Sequence, residues 1–207
     1  MRTAFLFGAI FLLALVPVSA GDQLVSRSPS PTQADLDWVE QRLGAARDRL
    51  MPLRGREDRQ FVAYRTSRDQ FMATAESHFA ITFPQGSESL EAVVTTLVGG
   101  SIRNQLLKLH VADRDASLDT LLFQVNAPRA KFDAGCPTLK IQADALLIVP
   151  IDLLPVKRNF IPMHPTVHRI VLDLNGTHLD AGFDGPEKPL VRWALDTLEA
   201  LNKCTAA

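Results

Sequence analysis

The spacing of apolar positions changes several times along the chain, and each change predicts an element. Leu36, Val39, Leu43, Ala46 and Leu50 recur at alternating intervals of three and four, which puts them on one face of a helix. Thr32 with Asp35 supplies its cap, and Pro52 its stop. Over residues 71–83 most odd positions, Phe71, Ala73, Ala75, Phe79, Ile81 and Phe83, are apolar, while Thr74, Glu76, His78 and Thr82 face the other way, so a strand is predicted, although Phe71, Ala75 and Phe79 also fit a helix. Between residues 86 and 99 helical spacing returns in Leu90, Val93, Val94, Leu97 and Val98, with Ser87 or Ser89 as cap and Gly99-Gly100 as terminator. Leu107, Leu109 and Val111, then Leu121, Phe123 and Val125, alternate on either side of a turn at 113–117 and predict an antiparallel hairpin. Leu139, Ile141, Ala143 and Ala145 extend the sheet into the apolar run 146–149.

Asn175-Gly176, flanked by alternating sequence, is a type I′ hairpin signal. A two-residue loop fixes the register, setting Leu174 opposite Thr177, Asp173 opposite His178, Leu172 opposite Leu179 and Ile170 opposite Ala181. Ile170, Leu172, Leu179 and Ala181 then share the buried face, and Arg169, Asp173, His178 and Asp180 the other. Residues 187–203 form a final helix with Leu190, Val191, Ala194, Leu195, Leu198 and Leu201 as a broad stripe.

The first twenty residues read as an export signal. Arg2 is followed by an apolar run over 4–16, a break at Pro17 and the small-residue ending Val18-Ser19-Ala20, so cleavage is expected after Ala20. Position 21 is Gly, which removes the lipid-attachment cysteine of a lipoprotein. The expected product is periplasmic or secreted, with no stable transmembrane anchor after cleavage. Residues 21–31 read as a flexible leader, and 32–207 as a single α+β domain.

Composition narrows the function classes. With 46% hydrophobic and 22% charged residues the chain is globular, and a formal charge of −1 offers no concentrated basic surface for nucleic acid. Cys136 and Cys204 are an even pair in an exported chain, which favours a disulfide. Closing a loop of about 70 residues is worth about 4 kcal/mol in chain-entropy terms, and the bridge would fasten the C-terminal helix to the sheet.

Candidate chemistry is sparse. Asp173 and His178 would face each other across the hairpin as a base with its orienting carboxylate, or as part of a solvated charge ladder with Arg169 and Asp180. Neither a G-x-S-x-G elbow nor an S-x-x-K motif accompanies them, so no catalytic residue is nominated and the balance leans away from an enzyme. His164 and His168 have Pro165 between them in a strand-like region, which does not place two rings on one helix face as zinc requires. No metal or other cofactor is expected. His168 alternates with Ile170, Leu172 and Leu174, as a hydrogen-bonded core histidine or the polar group of an apolar pocket. Residues 150–165 carry four prolines with Leu153, Leu154, Phe160, Ile161 and Met163, a composition for a lid, a docking interface or a plain cover over the sheet edge.

The predicted fold is α+β: an antiparallel sheet of about six to seven strands with an N-terminal helix, a short middle helix and a long C-terminal helix packed on the sheet. This order, together with Gly185-Pro186-Glu187-Lys188-Pro189-Leu190-Val191-Arg192-Trp193 leading into the last helix, resembles the helix-grip arrangement of START-like lipid-binding domains. The resemblance implies a cavity between sheet and final helix for a lipid or other apolar small molecule, with Phe123, Ile141, His168, Ile170, Leu190 and Trp193 as ligand-binding candidates. The expectation is therefore a non-enzymatic binding protein that sequesters or carries an apolar ligand. The alternatives are an interaction module of the inhibitor or immunity type, with an exported protein as partner, and a hydrolase using a histidine-carboxylate pair. A deep apolar pocket favours the first, a convex apolar patch over a solid core the second, and a His-Asp pair beside a Ser or Cys the third.

Overall fold

A computed structural model describes residues 30–55, 59–68, 76–85, 89–153 and 166–204. The expected signal segment lies outside them, as do Leu154, Phe160, Ile161 and Met163.

The first helix, α1 (Gln33–Leu50), forms for the reasons its sequence gives. The Thr32 hydroxyl accepts from the Asp35 amide, the Asp35 carboxylate accepts from the Thr32 amide, and Val39, Leu43, Ala46 and Leu50 are buried on one face. Six strands follow in one antiparallel sheet: β1 (Phe61–Arg68), β2 (Ser77–Thr82), β3 (Glu91–Thr96), β4 (Arg129–Phe132), β5 (Thr166–Leu174) and β6 (Thr177–Phe183), in the spatial order β4-β3-β2-β1-β5-β6. Between strands lie α2 (Ile102–Ala112), α3 (Leu118–Leu122) and α4 (Pro137–Leu146), and α5 (Pro189–Cys204) closes the chain.

The β5–β6 hairpin has the predicted register, with Asp173 opposite His178 and Ile170 opposite Ala181. Asn175 and Gly176 take positive φ of 51° and 78°, the pair of left-handed residues that a type I′ turn demands.

The middle of the chain exchanges helix for strand relative to the sequence expectation. Residues 91–96, expected as helix, are β3. Val93, Val94, Thr95 and Thr96 are β-branched, and pairing on both sides with β2 and β4 overrides a coincidental helical spacing. The two expected hairpin strands are α2 and α3. Their caps are Ser101 and Ser117, whose hydroxyls accept from the amides of Asn104 and Thr120. Ile102, Leu106 and His110 are buried at helical spacing, so the alternation of Leu107, Leu109 and Val111 is incidental. The strand expected through Leu139 and Ala145 is α4, begun by Pro137 at its first position and burying Leu139, Ala143 and Leu146. The edge strand β4, Arg-Ala-Lys-Phe, is short and polar and carries no strand signal.

Helices cover both faces of the sheet. Against one face, α4 and α5 pack on Val62, Tyr64, Phe79, Ile81, Val94, Ile170 and Leu172. Helices α1, α2 and α3 enclose a second core of Val39, Leu43, Leu106, Leu121 and Val125, joined by Leu97. A smaller cluster of Leu53, Phe61, Ala63 and Val171 lies on the opposite face from α5. The disulfide Cys136–Cys204 forms, with Cα atoms 5.9 Å apart. It joins the N-cap of α4 to the last residue of α5, so it fastens helix to helix and not helix to sheet.

Candidate functional site

Along the middle of α5 its contact with the sheet is solid. Tyr64, Phe79, Ile81, Ile170, Val191, Ala194 and Leu201 have no accessible surface, so no void that admits water adjoins them. Within this layer the Tyr64 hydroxyl lies 2.8 Å from His168 Nδ1. Burial pushes the His168 imidazole down and the Tyr64 phenol up, which makes this a neutral hydrogen-bonded pair in the core.

Open apolar space lies beside α4. A half-open groove of about 500 Å³ runs between α4 and the ends of β2 and β5, walled by Phe83, Pro84, Leu90, Leu139, Ala143, Leu147 and Leu174. Gln60, Asp133, Lys140, Asp144 and Asn175 give it a polar rim. A smaller hollow of about 160 Å³ adjoins it, sharing Leu147, Leu174 and Asn175 and adding Leu146, Val149, Ile151, Leu172 and Leu190. The groove exists because α4 turns its Leu139, Ala143 and Leu146 stripe to the sheet, while the short side chain of Ala143 leaves space.

The helix that forms this wall is held to α5 by three fastenings. The disulfide pins its N-terminus, Trp193 Nε1 donates to the Gln142 carbonyl at 2.9 Å, and the Thr197 hydroxyl donates to Gln142 Oε1 at 3.1 Å. Beyond α4, Lys188 Nζ donates to Asp152 at 2.9 Å and ties the segment carrying Ile151 and Leu153 to the start of α5. Apolar side chains predominate in the walls, with several polar groups beside them. Among the described residues no group of three or more His, Cys, Asp or Glu could hold a metal ion.

No protein-family model, curated protein or solved structure matches this chain.

The residues nominated from sequence are dispersed. Leu190 lines the smaller hollow. His168, Ile170 and Trp193 are buried in the solid layer. Phe123 is 94% exposed at the end of α3, and Ile141 is 62% exposed on the outer side of α4, because both segments are helices and not strands. Leu153, the one candidate of the proline-rich segment that lies among the described residues, is exposed. Leu147 and Leu174, common to both hollows, were not nominated. Pro137 followed by Leu139, Ala143, Leu146 and Leu147 at helical spacing was the available signal for this wall.

Asp173 and His178 do face each other on β5 and β6, with His178 Nδ1 3.9 Å from the carboxylate and both side chains exposed. Arg169 donates to Asp180 from Nε and Nη2 at 2.9 and 2.7 Å. The opposite sheet face also carries polar fastenings that sequence spacing did not reveal. Arg47 bridges to buried Glu76, Arg65 donates to Asp48 and to the Met51 carbonyl, and Arg129 donates to the carbonyls of Arg49 and Leu50. Together they bind the end of α1 to the sheet.

Proposed function

We propose that this protein is an exported, non-enzymatic binding protein of the cell envelope that retains an apolar small molecule or a lipid chain in the groove beside α4. The observation that carries the proposal is the adjacency of two half-open hollows that share Leu147 and Leu174, with apolar side chains predominant in both linings. The larger one falls in the size range of small-molecule sites. The disulfide supports an oxidising compartment, as does the signal-like sequence of residues 1–20. The likeness to START-like domains supports the same ligand class, with the site displaced from beneath the final helix to its beginning at Leu190.

A second reading, a docking surface for an exported protein, is favoured by one observation: Leu147, Ile148, Ile151 and Leu153 form an exposed apolar border to the hollows.

The test is titration with a fluorescent fatty acid, displaced by unlabelled fatty acids of increasing chain length. Binding is expected to be saturable and one-to-one. Leu147→Asn, a residue tolerated at helix ends, should weaken it about tenfold by removing apolar contact worth about 1.4 kcal/mol, with an unchanged melting temperature. Absence of saturable binding, or equal affinity in the variant, overturns the ligand reading and leaves the docking surface.

A further inference from the structure

On the sheet face opposite α5, a second cleft of about 520 Å³ opens between the end of α1 and strands β1, β5 and β6. Its chemistry differs from that of the groove. The floor is apolar, formed by Leu53, Phe61 and Val171, while the rim carries three guanidinium groups, those of Arg49, Arg54 and Arg169. Two carboxylates also line it, and both are engaged: Asp48 accepts from Arg65 at 3.0 Å, and Asp180 from Arg169. Arg49 has its own partner in Asp119.

Two donors remain. Asp180 occupies the Nε and Nη2 edge of Arg169 and so orients a guanidinium whose Nη1 edge has no partner among the described residues. Arg54 is exposed and forms no ion pair among the described residues. His178 adds a ring nitrogen at the same rim. Planar guanidinium forks match carboxylate and phosphate oxygens geometrically, and charge-assisted hydrogen bonds of this type exceed neutral ones in strength. An apolar floor beside them limits solvent and strengthens the attraction.

We propose that this cleft is a second binding site, for a small soluble organic anion. A carboxylate or phosphate monoester would rest its apolar body on Phe61, Leu53 and Val171 and present its anionic group to Arg54 and the Nη1 edge of Arg169. The site is separate from the groove beside α4 and lies on the other face of the sheet.

Calorimetric or NMR titration of the oxidised protein with phenyl phosphate and benzoate tests this. Saturable one-to-one binding is expected, at least tenfold tighter for phenyl phosphate than for inorganic phosphate because the ring covers the floor, and weakened by added salt. Benzyl alcohol, with the ring and no charge, should bind at least tenfold more weakly. Arg54→Gln, at an exposed position, should cost at least tenfold in affinity without moving the melting temperature. Leu147→Asn should leave the anion affinity unchanged, so that the two sites fail or stand separately. Equal binding of benzyl alcohol, equal binding of inorganic phosphate, or an Arg54→Gln variant that binds like the native protein overturns the proposal. So does association with phosphatidylglycerol vesicles and not with the soluble anions, which would assign the arginines to a lipid surface.

Discussion

His78 lies on β2 facing the end of α1, 1% exposed, with Nε2 2.8 Å from the Pro52 carbonyl. A carbonyl only accepts, so Nε2 carries the proton, and Nδ1 has no partner among the described residues. Burial, with the nearby Arg65 and Arg129 guanidiniums, pushes the imidazole down from 6.5 to about 4, the Pro52 hydrogen bond opposing this in part. In the unfolded chain the same group takes up its proton near pH 6.5, before the folded protein does. Its contribution to stability is therefore complete above 6.5 and is lost as the pH falls from there toward 4. The whole shift amounts to about 3 kcal/mol, of which about 2–3 kcal/mol is gone by pH 4.5. His168, also pushed down by burial, acts in the same sense. The carboxyls of Asp35, Asp180 and Glu199 are held below their ordinary values by Arg114, Arg169 and Lys203, so their losses belong to more acidic solutions. Urea unfolding at pH 7 and pH 4.5 measures the effect. His78→Gln retains an N–H for Pro52 and cannot titrate, so the native protein should lose about 2–3 kcal/mol more than the variant between the two pH values. Equal losses would refute a neutral, buried His78 and with it this account of how α1 is fastened to the sheet.

Further predictions concern the helix pair and the cleft floor. Replacing both Cys136 and Cys204 by Ser should cost about 4 kcal/mol, a drop in melting temperature on the order of 10 °C by calorimetry, and should also weaken fatty-acid binding because α4 loses its N-terminal anchor; an unchanged melting temperature would contradict this. Trp193→Phe removes the donor to the Gln142 carbonyl and should cost about 1–2 kcal/mol in urea unfolding. A loss of under about 0.5 kcal/mol would mean that the bond between α4 and α5 contributes nothing measurable. Gly55 lies against the Phe61 ring, so that an added Cβ would occupy the ring's position. Gly55→Ala should therefore cost about 1–3 kcal/mol and shift the Phe61 ring resonances, and a spectrum like the native one would disprove that close approach.

What the sequence made legible follows the range of the interactions involved. The capped helix from Gln33 and the hairpin at Asn175-Gly176 depend on residues a few positions apart, so their signals are local and the observed geometry agrees. The C-terminal helix is long enough for its apolar stripe to be unambiguous. Segments of five to eleven residues in the middle of the chain are not. Val93 and Val94 fit a helix as well as a doubly covered strand, and pairing with distant β2 and β4 decides between them. The sheet has six strands, within the expected range of about six to seven, because β1, β3 and β4 replace segments that became α2, α3 and α4.

The candidate site was less legible for the same reason. With α4 taken as a strand, Ile141 points inward; as a helix, it turns Ile141 to solvent and brings Leu139, Ala143 and Leu147 to one wall. The arginine fastenings at the end of α1 join residues 14 to 80 positions apart and leave no periodicity to read.

The central claim is that the groove across Leu147 and Leu174 holds an apolar ligand. Native mass spectrometry of the protein purified from its native source under non-reducing conditions, with organic extraction of what accompanies it, tests that claim most directly. The account predicts a bound apolar molecule of defined mass at one per chain, lost in Leu147→Asn, on a chain whose mass shows the closed disulfide. A ligand-free native protein that also takes up no added fatty acid would contradict it.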